Sequence, residues 1–143
     1  MIFTIAGIVA VVLVLAAIGF VFWRRRPKPL DPAFFQERWK ELQALLRDKT
    51  QWPKAITEAD KLLETALKKK RFRGRTMGER MVKAQRQFSD NDSVWFGHKL
   101  RNKLDTEPET KLKEAEVKQA LVGIRQALKD VGALPDAQSR NQK

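Results

Sequence analysis

Hydrophobic and polar positions divide this chain into two unlike parts. From Met1 to Trp23 it reads MIFTIAGIVAVVLVLAAIGFVFW, an unbroken apolar run in which only Thr4 is mildly polar and no side chain is charged. As a helix rising roughly 1.5 Å per residue, such a run extends about 34 Å, enough to cross a hydrocarbon core of roughly 30 Å with some tilt. The pattern predicts a transmembrane helix over residues 1–23. A cleaved signal peptide would need basic residues before a shorter apolar core and small residues after it. Here Arg24, Arg25 and Arg26 follow the run, and Phe22 and Trp23 stand where small residues would lie. Phe20, Phe22 and Trp23 suit a membrane interface, and the arginine cluster favours retention on the cytoplasmic side. The expected location is the cell membrane, single-pass, with the N-terminus outside and the C-terminal domain in the cytoplasm.

Beyond the run the periodicity changes. Pro27, Pro29 and Pro32 bar a simple continuation of the helix, because proline lacks an N–H and biases its predecessor away from helical dihedrals. Residues 24–31 read as a basic, Pro-rich juxtamembrane linker, short and stiff enough to start the next domain within roughly 15 Å of the headgroups. Asp31 is a good N-cap with Pro32 at the first helical position, and Phe35, Trp39, Leu42 and Leu46 follow at helical spacing, predicting a helix over about 32–48. Trp52-Pro53 opens a second, striped by Ile56, Ala59, Leu63, Ala66 and Leu67 and ending in Lys68 to Arg71. Thr76 and Glu79 form a capping-box pattern before Met77, Met81, Ala84 and Phe88. Ser89 to Asp92 offers caps for a helix over about 92–104, with Val94, Trp95, Phe96, Leu100 and Leu104. The last predicted helix, about 110–131, carries Val117, Leu121, Ile124, Leu128 and Val131 and stops at Gly132. The fold expected is therefore all-α: an N-terminal transmembrane helix, then an up-and-down bundle of about five helices over residues 32–134. Residues 135–143, polar and unpatterned, read as a disordered tail. Trp39, Trp52 and Trp95 fall on or beside apolar stripes, which predicts core packing rather than base stacking.

Charge changes this picture in one place. The chain of 143 residues has 29 Lys+Arg against 17 Asp+Glu, a formal +12, with one His and no Cys. Arg24 to Arg26 and Lys28 contribute +4, and the stretch Lys68 to Arg86 contributes +8, while the rest is nearly neutral. Without Cys there is no disulfide, thiolate nucleophile or thiolate metal site, and a single His cannot build a His-rich one. No metal or cofactor is expected. The densest cluster is KKKRFRGR, in which Lys68, Lys69, Lys70, Arg71, Arg73 and Arg75 surround Phe72 and Gly74. A helix C-terminus welcomes a few cations, and the remainder admit two functional readings. One is nucleic-acid binding, with Phe72 stacking on an unpaired base; the other is attraction to anionic lipid. Composition does not choose between them.

The segment Trp95-Phe96-Gly97-His98-Lys99-Leu100-Arg101-Asn102-Lys103-Leu104-Asp105-Thr106 carries a resemblance. A helix bearing Arg-Asn a few residues before a His is similar to the HEPN superfamily of small α-bundle proteins. Glu58 to Lys70, Thr76 to Met81 and Ala120 to Leu134 also resemble single-span membrane proteins of candidate-phyla bacteria with such a domain. The resemblance spans about residues 36–134. It implies an Arg-(4 to 6 residues)-His motif for metal-independent RNA cleavage, and pairing into a homodimer. Here Arg101 and Asn102 match the motif, but Thr106 replaces its His, and a threonine cannot move a proton near neutral pH. His98 lies three residues before Arg101 instead. Ordinary roles are open to these residues too: Arg101 pairing with Asp60 or Glu64, Asn102 capping or bridging the connection to the last helix, His98 at a boundary, and Asp60 with Glu64 on a solvated charged face. The sequence reading is a membrane-anchored, non-catalytic helical binding or scaffolding module with a basic patch for anionic lipid or nucleic acid. The alternative is a membrane-tethered, metal-independent ribonuclease using Arg101 and His98.

Overall fold

The computed structural model describes residues 1–27 and 29–136. Of the expected linker and tail, Lys28 and residues 137–143 lie outside the described residues. Everything regular among the described residues is helical, in the order α1 (Ile2–Arg24), α2 (Pro32–Leu45), a 3-10 turn (Lys49–Gln51), α3 (Trp52–Lys69), α4 (Met77–Ala84), α5 (Asn91–Thr106) and α6 (Glu114–Asp130). The all-α expectation, an apolar N-terminal helix followed by a helical bundle, holds. Helix α1 is long and apolar enough to cross a membrane, with a mean hydropathy of 3.0, and buries none of its residues against the bundle.

In the bundle α3 is the central element, packed against α2, α4, α5 and α6. Its stripe explains why: Ala55, Ile56, Ala59, Leu63, Ala66 and Leu67 are fully buried. Two contacts at opposite ends make α2 and α3 an antiparallel hairpin. The Trp52 indole N–H at the start of α3 donates to the Leu46 carbonyl just past α2 at 3.0 Å, and Lys69 at the end of α3 lies 5.1 Å from the ring of Phe34 in the first turn of α2. Trp39 is buried, and Trp52 and Trp95 are half-buried against the core, as their positions on the stripes predict.

Helix ends follow their caps. The Asp31 carboxylate accepts from the Ala33 amide at 3.1 Å with Pro32 at the first position. Leu30 precedes this cap and Phe35 follows four positions into the helix, the arrangement of a hydrophobic staple; both are buried in the core. The linker is therefore shorter than the sequence suggested, because the bundle already begins at Leu30. Thr76 caps α4 by accepting from the Glu79 amide at 3.2 Å, while Glu79 reaches the Arg75 amide at 2.6 Å, one residue before the cap. Two helices end earlier than the periodicity predicts. Helix α2 stops at Leu45, where Asp48 opens the 3-10 turn by accepting from the Thr50 amide at 2.9 Å. Helix α4 stops at Ala84, because the Asn91 amide takes the carbonyls of Gln85 at 3.0 Å and Phe88 at 3.4 Å; Phe88 is buried nonetheless. Helix α6 starts four residues later than expected, since Thr110 folds back on the Glu107 carbonyl through both its amide, at 3.1 Å, and its hydroxyl, at 2.7 Å.

Helices α5 and α6 approach more closely than ordinary side chains permit. A Cβ at Gly123 would lie 2.4 Å from the Ser93 carbonyl carbon and 2.5 Å from its oxygen, and one at Gly97 would lie 3.0 Å from the Ala120 carbonyl oxygen. Asp130 locks the same crossing at its end, accepting from the Ser89 amide at 2.8 Å and hydroxyl at 2.9 Å.

Candidate functional site

The basic cluster forms the corner between α3 and α4. Lys68, Lys69, Arg71, Arg73 and Arg75 are exposed and Lys70 is half-buried. Among the described residues only Lys68 of these six is ion-paired, with Glu64 at 3.3 Å. The chain turns here because Arg71 adopts φ 68°, a left-handed conformation, so that the Phe72 amide reaches the Leu67 carbonyl at 3.0 Å and the Arg71 amide the Lys68 carbonyl at 3.0 Å. This is a Schellman cap, which places a hydrophobic residue just past the helix against its last turn. Phe72 fills that role: it is half-buried against the core to which Leu67 belongs. The ring that one of the two readings would stack on a base packs against the core as the anchor of this cap, and the corner presents its cations without an exposed aromatic of its own among the described residues.

An aromatic is supplied from another element. Phe34, 37% exposed, stands between Lys69 at 5.1 Å and Arg38 at 5.6 Å from its ring. Neither Phe34 nor its neighbourhood was legible as part of the basic site, because the two lie 35 residues apart in the chain.

The motif residues come together in a second place, between α3, α4 and α5. The His98 ring, only 6% exposed, has its Nδ1 3.0 and 3.2 Å from the two carboxylate oxygens of Asp60, itself 1% exposed. The Asn102 side-chain amide lies 3.3 Å from the other ring nitrogen, Nε2. The Asp60 carboxylate thus lies against one side of the ring and the Asn102 amide against the other. Trp95 meets the imidazole edge-on at 5.9 Å, and the first turn of α4 covers it, the Cβ position of Gly78 being 3.8 Å from Nε2. Arg101 approaches Asp60 at 3.8 Å and Asp105 at 3.3 Å, and Arg80 of α4 approaches Glu64 at 3.6 Å.

Several expectations change. Arg101 does pair with Asp60, as one reading held. Asp60 is not on a solvated charged face: it is the buried acceptor that orients His98. The readable signal is its register, since positions 56, 59, 60, 63, 66 and 67 form one helical stripe in which Asp60 is the only charged member. Asn102 neither caps nor bridges toward α6; it lies within α5 and bonds to His98. Thr106, where the motif would have its His, turns its hydroxyl onto the Asn102 and Lys103 carbonyls at 3.4 and 3.1 Å, closing its own helix. The imidazole is thus buried and held in one orientation. A carboxylate at one ring nitrogen fixes the ring's orientation, and here Asp60 lies at Nδ1 and the Asn102 amide at Nε2.

Two grooves flank α2. One, about 430 Å³, has Leu42, Leu45 and Leu62 among its lining residues and Arg38, Glu41 and Lys61 as charged neighbours. The other, about 310 Å³, lies between α2 and α6 and is lined by residues including Trp39, Trp52, Val117, Leu121 and Val122. Among the described residues no three His, Asp or Glu side chains converge as metal ligands would. No family model matches the chain, and neither curated proteins nor solved structures provide a match.

Proposed function

We propose that this protein is a single-pass, membrane-anchored helical module that binds a polyanionic partner through the corner Lys68 to Arg75 and has no catalytic activity, with its bundle on the cytoplasmic side. The observation that carries the reading is the corner itself. Six cations lie within eight residues, five of them are exposed, and only one is ion-paired among the described residues. Cations at a helix end complement its dipole, but two or three suffice for that. The uninterrupted apolar α1 followed by Arg24 to Arg26 supports the anchor and its orientation.

The ribonuclease reading draws on one observation, the clustering of His98, Arg101 and Asn102 around Asp60. It is weakened by the enclosure of His98 and the engagement of both its ring nitrogens. The test is direct. Full-length protein in neutral lipid vesicles, incubated with single-stranded RNA in the presence of EDTA, is expected to leave the RNA intact. Cleavage that disappears in both His98→Ala and Arg101→Ala would overturn the non-catalytic assignment. Orientation is checked separately by protease added outside intact cells, which is expected to leave the bundle uncut.

A further inference from the structure

Resting on that anchored reading, we infer that the basic corner belongs to a membrane-facing end of the bundle and that its partner is the anionic phospholipid surface of the membrane holding α1. Three observations place it there. First, Leu30 is already buried in the core, so only Arg25 to Pro29 separate the end of α1 from the bundle. At about 3.1 Å per residue for a proline-rich segment, that tether spans under about 20 Å. Second, the tether enters at the start of α2, and the antiparallel hairpin brings the end of α3 to the same place, with Lys69 5.1 Å from Phe34. The corner is thus held beside the point where the chain emerges from the bilayer. The other end of the hairpin, near Arg47 and Trp52, lies about 26 Å further along α3 at 1.5 Å per residue. Third, the aromatic on this end is of the kind that inserts at an interface: Phe34 is partly exposed and flanked by Lys69 and Arg38, while Phe72 is packed inward. Cations around a partly exposed ring match phosphate headgroups with an apolar boundary beneath them. Single-stranded nucleic acid would call for several stacking platforms along a groove, and the corner offers none of its own.

Docked this way, the bundle stands on the membrane with the α2 N-terminus, the α3 C-terminus and the α3–α4 corner toward the headgroups. Each basic residue near an anionic surface shifts such an equilibrium by roughly fivefold, so removing four shifts it by a factor on the order of several hundred.

The chain has no Cys, so a single introduced thiol can be labelled uniquely. The experiment uses full-length Arg73→Cys and, at the opposite end, Arg47→Cys, each carrying a fluorophore, reconstituted in vesicles containing a headgroup nitroxide lipid. With phosphatidylglycerol present, the label at 73 is expected to be strongly quenched and the label at 47 weakly. In pure phosphatidylcholine the difference shrinks, and raised salt reduces it. Adding Lys68→Gln, Lys69→Gln, Arg71→Gln and Arg75→Gln together is expected to remove the phosphatidylglycerol-dependent quenching. Equal quenching at both labels, or quenching at 73 indifferent to phosphatidylglycerol, overturns the inference. So does retention of an RNA oligonucleotide by the native corner without lipid-dependent quenching. Release of the chain from neutral vesicles by alkaline carbonate would instead overturn the anchor; retention with no lipid-dependent quenching overturns the docking alone.

Discussion

The α5–α6 crossing makes the sharpest claim about how this bundle is held together. Replacing Gly123 with Ala puts a methyl group 2.4 Å from the Ser93 carbonyl carbon, 2.5 Å from its oxygen and 2.7 Å from its Cβ. Ordinary contact needs about 3.5–4.0 Å, so α5 must retreat from α6 by roughly 1 Å. A gap of that size forfeits a quarter to a half of each dispersion contact along the seam, where Val94, Ala120, Ile124 and Ala127 are all fully or almost fully buried. Overpacking typically costs about 1–3 kcal/mol, and a clash with backbone rather than a flexible side-chain tip belongs at the upper end. Alanine in place of glycine in a helix returns about 1 kcal/mol. The expected net loss is about 2 kcal/mol, or roughly 8 °C in the melting midpoint for a domain of this size. The assay is thermal unfolding of the full chain in detergent, followed by the fluorescence of Trp39, Trp52 and Trp95. Ser93→Gly in the Gly123→Ala background is expected to recover little, because it removes the 2.7 Å contact and leaves the two backbone ones. Gly78→Ala is the control: nothing lies nearer than 3.8 Å to its Cβ position, so it should be neutral or mildly stabilising. A Gly123→Ala protein as stable as the native one would refute the close-approach argument.

Further outcomes follow from the caps and the buried acid. Arg71 occupies a left-handed position at φ 68°, where Gly132 in the corresponding cap of α6 has φ 83°. Arg71→Gly should therefore stabilise the bundle by about 0.5–1 kcal/mol, and Gly132→Ala should destabilise it by about 1 kcal/mol, both read from urea midpoints. Asp60→Ala leaves the buried His98 without its carboxylate partner and Arg101 with Asp105 alone, and is expected to cost about 3 kcal/mol, with Asp60→Asn costing less because its side-chain amide still offers His98 a hydrogen-bond partner; equal stability of native and Asp60→Ala chains would contradict the assignment. The Asp90 carboxyl is held below its ordinary value of 3.8 by hydrogen bonds from the backbone and side chain of Ser93. A depressed carboxyl stabilises the fold above its unfolded value, and that contribution disappears as pH falls through the folded one. Asp90→Asn, which caps without titrating, should thus flatten the loss of stability below about pH 4, measured as melting midpoint against pH.

How much was readable in advance can be judged residue by residue. The apolar run, Asp31 with Pro32, Thr76 with Glu79, and Gly132 are local signals: each acts on backbone groups within one turn, so the sequence carries the whole cause. The early ends of α2 and α4 were not readable from the stripes, because side chains of Asp48 and Asn91 took over carbonyls and amides the helices would have used. Arg71 in a left-handed cap carries no sequence signal either, since glycine is the usual occupant of that position. The burial of Asp60 was not legible because a carboxylate four residues from another on a helix ordinarily faces water. Its burial depends on what α5 presents opposite, and that is a tertiary fact.

By itself the sequence determined that this chain begins with a helix able to span a bilayer, that the remainder is a helical bundle, and that its excess charge lies in two short stretches. These follow from periodicity, length and composition, all of which act locally or along one element. Only the tertiary structure decided that Phe72 is an anchor while Phe34 is the partly exposed ring among cations, that His98 is enclosed between Asp60 and Asn102, and that the basic corner shares an end of the bundle with the segment arriving from α1. Those depend on the antiparallel pairing of α2 with α3 and the close crossing of α5 with α6. Such packing brings together residues tens of positions apart, and no pattern within a single helix encodes that distance.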